Sequence, residues 1–342
     1  MTKKILELLP TELTNYLISI GEKEYRAKQI FNWIYNKRSS DFNEMTSLSE
    51  NLRERLNSDF SFNLPIIEQK SISQDGTTKY LLSLADDAKI EMVLIPNEKK
   101  NTLCISSQVG CFRKCEFCAT ATLEFTRNLE TYEIIAQVFL AINELKETKL
   151  TNLVFMGMGE PLDNFDNLVK AINIMQHDLC FNFSPRRITV STSGVVPKIT
   201  DLADTGLKIK LAVSLNSANQ TKREELMPIS KKYPLTELKK ALIDFRKKAS
   251  YRITLEYVMI KDFNIGKEDA NALIKFMGDI SCKLNLIKWN AVNGLKYEAP
   301  SGNEVERFRK LMNVQKSAVT FRRSRGEDIE AACGQLAAKN VH

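Results

Sequence analysis

From about residue 150 onward the chain alternates short apolar runs with amphipathic stretches, and each run ends on small or polar residues: NLVFMGMGEP, RRITVSTSG, LKIKLAVSLN, YRITLEYVMI and LNLIKWN. This rhythm constrains the fold more than any other feature. Strands separated by helix-length segments pair in parallel through crossovers, which leaves a (β/α) barrel, whole or partial, or a doubly wound sheet. A doubly wound nucleotide fold wants GxGxxG after its first strand, and GMGEP does not supply it. The expected class is therefore α/β with a partial (β/α) barrel. In such a barrel the C-terminal strand ends surround the active site, and here they carry Gly159, Glu160, Ser191, Ser214, Leu215, Asn216 and Asn290.

Upstream the pattern changes twice. Residues 1–65 read as a small helical accessory unit: LTNYLISIG stops on Gly21, YRAKQIFNWIYNKR gathers Ile30, Phe31, Ile34 and Tyr35 on one side, and Ser47 with Glu50 can form a capping box before NLRERL. Residues 66–100 form a strand-rich linker region, with TKYLLSL and KIEMVLIP separated by polar DDA. Residues 101–342, opening with the strand NTLCISS, form the catalytic domain. No stretch approaches the roughly 18 apolar residues of a membrane span, and MTKKILELLP has no signal-peptide pattern, so a cytoplasmic protein without a membrane partner is expected.

Seven cysteines are too few for a secreted disulfide scaffold, and with only His177 and His342 the chain is poorly supplied for histidine catalysis or His-rich zinc sites. The net charge of +7 is concentrated. Between Thr221 and Ser250 nine Lys or Arg face four Asp or Glu, and further clusters stand at Arg186-Arg187 and at 322–325. Each alone reads as a solvated face; together they lean toward RNA.

Immediately after a strand, VGCFRKCEFCAT places Cys111, Cys115 and Cys118 at CxxxCxxC spacing. A structural zinc site takes four protein ligands, and no partner pair lies nearby. Three thiolates on one loop suit a 4Fe-4S cubane with one iron left open. The spacing, with Phe117 before the last cysteine, resembles the radical S-adenosylmethionine superfamily. Along the whole chain SSQVGC, GMGEP, RRITVSTSGVVP, SLN, EYVM, LNLIKWN and DIEAACGQLA resemble, in order, the RlmN family of RNA methyltransferases. GEP and STSG fit that family better than the sister Cfr family. Asn216 stands where the family has histidine, and Lys288 where it has proline.

The resemblance implies that the enzyme methylates adenine C2 in 23S ribosomal RNA, in the peptidyl transferase region, and in certain transfer RNAs at the adenosine 3′ to the anticodon. That carbon is electron-poor and has no lone pair, which explains the need for radical chemistry. The family's route implies a 4Fe-4S cluster on Cys111, Cys115 and Cys118 and two S-adenosylmethionine molecules per turnover, one as methyl donor and one as radical source. Cys333 would be the methyl carrier. Cys104 would release the product by forming a disulfide with it, and Glu91 would accept the C2 proton, although a lone Glu on a strand ordinarily faces solvent. Gly159 and Glu160 would meet the ammonium of S-adenosylmethionine, and Ser191, Ser214, Leu215, Asn216 and Asn290 its carboxylate, ribose or adenine. A flavodoxin-type electron donor and a monomer are expected. Cys180 and Cys282 read as core, and Met156 and Met158 as packing. Two competing readings are a Cfr-like enzyme acting at adenine C8 and a non-catalytic iron–sulfur RNA-binding protein.

Overall fold

The computed structural model describes residues 2–98, 100–145, 148–312 and 318–338; His342 lies outside them. Three helices open the chain, α1 (Pro10–Ser19), α2 (Tyr25–Phe31), which runs on through a π turn at Asn32–Asn36, and α3 (Glu50–Asp59). Helix α1 ends just before Gly21, whose φ of +83° is the left-handed conformation a helix C-terminus favours. Ile30, Phe31, Ile34 and Tyr35 are all buried, in the same apolar cluster as Leu13, Leu17, Leu52 and Leu56, as the one-sided pattern anticipates. The cap of α3 is corrected. Ser49, not Ser47, takes the extended N-cap conformation and accepts a hydrogen bond from Leu52 N at 3.3 Å, while Ser47 Oγ accepts from Trp33 Nε1 at 2.8 Å.

The body is one ten-stranded sheet. Its strands are β1 (Ile66–Ile72), β2 (Thr78–Ser83), β3 (Lys89–Asn97), β4 (Lys100–Cys104), β5 (Leu150–Phe155), β6 (Ile188–Thr192), β7 (Lys210–Ser214), β8 (Ile253–Met259), β9 (Cys282–Lys288) and β10 (Val319–Arg322). Neighbours in the sheet are neighbours in sequence throughout. Strands β1–β4 are an antiparallel meander; β4–β10 are mutually parallel. Crossovers run through α4 (Thr131–Glu144), α5 (Phe165–Gln176), α6 (Val196–Asp204), then α7 (Gln220–Leu226), α8 (Ile229–Lys232) and α9 (Leu235–Lys248), and finally α10 (Lys267–Met277) and α11 (Gly302–Met312). A doubly wound sheet reverses its strand order at a switch point, and this order never reverses. Edge strands β1 and β10 do not pair, so the barrel is partial.

The segment after β10 bridges the open side. Asp328 accepts from Ser73 Oγ at 2.5 Å and from Gln74 N at 3.1 Å, and Gly326 N donates to Asp75 Oδ2 at 3.1 Å. Farther along, Lys79 Nζ donates to Glu330 O at 3.3 Å. The segment thus lies across the β1–β2 hairpin and ends beside β3. Among the described residues no helix is long and apolar enough to cross a membrane.

Candidate active site

The loop after β4 delivers the three clustered cysteines to the C-terminal ends of the parallel strands. It is pinned from three sides: Glu116 N donates to Leu226 O at 3.0 Å, Trp289 Nε1 to Phe117 O at 3.0 Å, and Ala119 N to Gly334 O at 2.7 Å. The thiols open onto a cavity of about 970 Å³, open solvent at its mouth included. Burial pushes each thiol up, Cys111 to about 12, and each also feels another of the site's thiols. A cationic metal group would reverse that penalty. Among the described residues no three His, Cys, Asp or Glu converge to hold a single ion. Three thiolates that bind three different irons need no such convergence, so the donor set fits an iron–sulfur cubane.

Of the residues expected to bind the small molecule, Gly159, Glu160, Ser191, Ser214 and Asn290 line this cavity together with Cys333. Gly159 sits at φ +97°, and a Cβ there would come within 2.5 Å of Gln108 Cβ. Glu160 accepts from Ser193 N and Oγ, both at 2.7 Å, and from Leu162 N at 3.1 Å; burial raises its carboxyl while the Ser193 bonds oppose that. Leu215 and Asn216 are wholly buried and stand behind the cavity wall. Asn216 adopts φ +56°, accepts from Val258 N at 3.0 Å and donates to Met227 Sδ at 3.3 Å. Left-handed backbone suits Asn, as it would the His that the resemblance leads one to expect at this strand end.

Cys333 reaches the cavity from the C-terminal segment. Asn290 Nδ2 donates to its carbonyl at 3.0 Å, and Thr120 Oγ1 to Leu336 O at 2.6 Å. Cys104, at the end of β4, shares a smaller adjoining cavity with Cys333, Arg322 and Met156. The Cys104 thiol is pushed up to about 12 by burial and then by Cys333, with Arg322 opposing. All seven cysteines are free, so the disulfide named among the expected features is absent from this state. Glu91 is buried rather than solvent-facing: its Oε2 accepts from Ala337 N at 2.9 Å and Ala338 N at 3.1 Å, and its Oε1 pairs with Lys79 at 3.1 Å. It touches the Cys333-bearing segment without lining either cavity.

Sequence reasoning passed over three charged residues here. Arg223 is wholly buried and donates to the carbonyls of Ser193 (2.7 Å), Leu215 (3.1 Å) and Ser214 (3.3 Å), tying two strand ends together. Burial lowers its guanidinium to about 10, with Cys115 opposing. Glu256 lines the cavity, accepts from Asn285 Nδ2 at 3.1 Å, and leaves Oε2 without a protein partner. Arg322 feels Cys333, Glu256 and Cys104, and its Nη1 donates to Met156 Sδ at 3.9 Å. A period-two count back from the strand ends would have turned Glu256 and Arg322 inward; Arg223 lay hidden in a basic run.

Comparison with known proteins agrees with this geometry. Residues 3–61 match the family model described as the ribosomal RNA large subunit methyltransferase N-terminal domain, and residues 105–276 match the radical SAM superfamily. The chain is 45% identical over 328 residues to a dual-specificity RNA methyltransferase RlmN of Geobacter sulfurreducens, covering 96% of this chain and 90% of that protein. Its likeness to the protein of the same name in Francisella tularensis subsp. novicida is 42% over 342 residues, with 97% and 92% covered. A crystal structure of a radical SAM methyltransferase from Sphaerobacter thermophilus superposes with a TM-score of 0.95 at 37% identity, over 98% of this chain and all of that one.

Proposed function

Since the chain belongs to the RlmN family of dual-specificity RNA methyltransferases, within the radical S-adenosylmethionine superfamily, we propose that it methylates adenine C2 in 23S ribosomal RNA and in certain transfer RNAs through a methyl group carried on Cys333. The observation that carries this reading is the docking of the Cys333 turn on the cysteine loop across one shared cavity, through Ala119 N to Gly334 O at 2.7 Å. The contact supports the reading because the Cys333 turn borders the same cavity as Cys111, Cys115 and Cys118.

Cys111, Cys115 and Cys118 would hold the 4Fe-4S cluster, which supplies the electron for cleaving S-adenosylmethionine. Glu160 and the Gly159 backbone would orient the amino end of that molecule, and Ser191, Ser214 and Asn290 its carboxylate, ribose or adenine. Leu215 and Asn216 would act through the backbone shape they impose behind Ser214. One S-adenosylmethionine would methylate the Cys333 thiol, because a thiolate displaces a sulfonium methyl readily; a second would serve as radical source. Glu91 would accept the C2 proton once the Ala337 and Ala338 amides let go of its Oε2. Once the carrier methyl had lost a hydrogen atom to the radical source and its carbon had bonded to C2 in place of the C2 hydrogen, the Cys104 thiolate would attack the Cys333 sulfur. The S–S bond would form as the S–CH2 bond breaks, and the methylene carbon would keep that electron pair and take a proton to become the methyl group of the released RNA. The units 1–65, 66–100 and 101–342 are assigned to RNA docking, to carrying Glu91 and to catalysis. We take the enzyme as a cytoplasmic monomer reduced by a flavodoxin-type donor.

The test is RNA mass spectrometry after anaerobic turnover. The parent should yield 2-methyladenosine, and Cys333→Ala should yield none while keeping close to four irons. A C8-methylated product would return the Cfr-like reading, and full activity of Cys333→Ala would remove the carrier.

A further inference from the structure

The basic run at 221–250, which in sequence leaned toward RNA, is in part neutralised in the fold. Arg223 is buried, Lys222 pairs with Asp269 at 2.7 Å, Lys239 with Asp279 at 2.6 Å, and Lys248 with Asp204. A second group of positive charges is assembled from residues scattered along the chain. Strands β4 to β9 each carry a Lys or Arg within one residue of their start: Lys100, Lys149, Arg187, Lys210, Arg252 and Lys283.

Strand periodicity sets where these side chains go. Lys210 shares a face with Ser214, Lys283 with Ile287, and Lys100 with Cys104, all of which line the cavities at the other end of the sheet. Arg187 Nη1 donates to Asn152 Oδ1 at 3.3 Å, on the face that carries Met156. Four cations from four strands therefore project onto the concave face at its N-terminal end. Their mutual proximity registers on the half-buried Lys210: burial first, then Lys283, Arg187, Lys100 and Arg186, hold its ammonium below the ordinary lysine range. Exposed Lys149, Arg186, Lys208 and Arg252 flank the group. Among the described residues none of these eight lies within ion-pair distance of a carboxylate, although ion pairs occupy Lys70, Lys239 and Lys248 elsewhere in the fold.

We propose that this face is a second, remote RNA-docking surface, where phosphodiester oxygens of the substrate RNA are held by Lys100, Arg187, Lys210 and Lys283 while the target base enters at the opposite end of the strands. The inference rests on the RNA substrate of the proposed function. Unpaired cations from separate strands fit a polyanion, whose binding releases condensed counterions. An acidic protein delivering electrons fits less well, because it must approach the cysteine loop, and from Lys210 to Ser214 alone the strand rises about 13 Å. A folded RNA is large enough to touch both ends of the barrel.

The experiment compares the full-length parent with the triple variant K100E/R186E/K283E, all at exposed positions, in binding an in vitro transcribed transfer RNA across a salt series. Circular dichroism and iron content serve as the folding control. The variant should bind at least tenfold more weakly near 0.1 M salt, and its log K against log salt slope should be shallower by about 2, the loss of the phosphate contacts at Lys100 and Lys283. A neutral K100Q/R186Q/K283Q variant should fall between. Equal affinity and slope in parent and variant would overturn the surface. So would unchanged RNA binding with slower reduction by flavodoxin, which would mark a protein-docking face. A parent that binds no RNA would overturn the RNA substrate itself.

Discussion

Cys104 is a thiol that resists ionisation, held up to about 12 by burial and by Cys333 and restrained from going higher by Arg322. The thiolate is the attacking species, so the exchange assigned to Cys104 should quicken with pH. In the metal-free protein, alkylation of Cys104 by a neutral reagent, read by peptide mass spectrometry, is expected to rise about tenfold per pH unit from 7 to 10. Arg322→Met should shift that profile to higher pH, because removing a neighbouring cation disfavours the anion. A plateau near pH 9 in the parent would show that the thiol is not held up. At this scale the sequence was legible where spacing itself is the chemistry, as in Cys111, Cys115 and Cys118. Arg223, Glu256 and Arg322 were not, because a charged residue reads as solvent-facing until strand periodicity and neighbouring strands turn it inward.

At the scale of elements, β2 to β9 were visible as apolar runs, but β1 and β10 were not. IIEQKSI alternates exposed and half-buried positions along an edge, and β10 has only four residues. Both strands are made by their partners rather than by their own composition. The start of α3 shows a similar limit, since TSLSE offers two serines and only the folded backbone chooses between them. Ser49→Ala should cost about 1 kcal/mol in urea denaturation, the worth of an N-cap. Ser47→Ala, which forfeits one exposed bond to Trp33, should cost about half as much or less. Equal losses would mean that the cap contributes nothing beyond an ordinary surface hydrogen bond.

Across the whole molecule, the monotonic strand order agrees with the alternation read from sequence, whereas closure of the open side by the residues after β10 had no sequence signal. That closure depends on polar contacts between residues some 250 positions apart, such as Ser73 to Asp328 with a separation of 255. Asp328→Ala should therefore loosen the segment without disturbing the cysteine loop. Hydrogen exchange at 331–338 is expected to rise and RNA methylation to fall several-fold, while iron content stays the same. Unchanged exchange would show that the Glu91 and Asn290 contacts suffice. The same arrangement imposes an order of events during synthesis. Cys111, Cys115 and Cys118 lie in the first half of the chain and the strands add in sequence, whereas Gly334, whose carbonyl pins the cysteine loop through Ala119 N, is made long after them. A nascent chain that has exposed all three clustered thiols therefore still lacks one wall of the cavity they open onto, and that wall can close only once the segment after β10 has emerged.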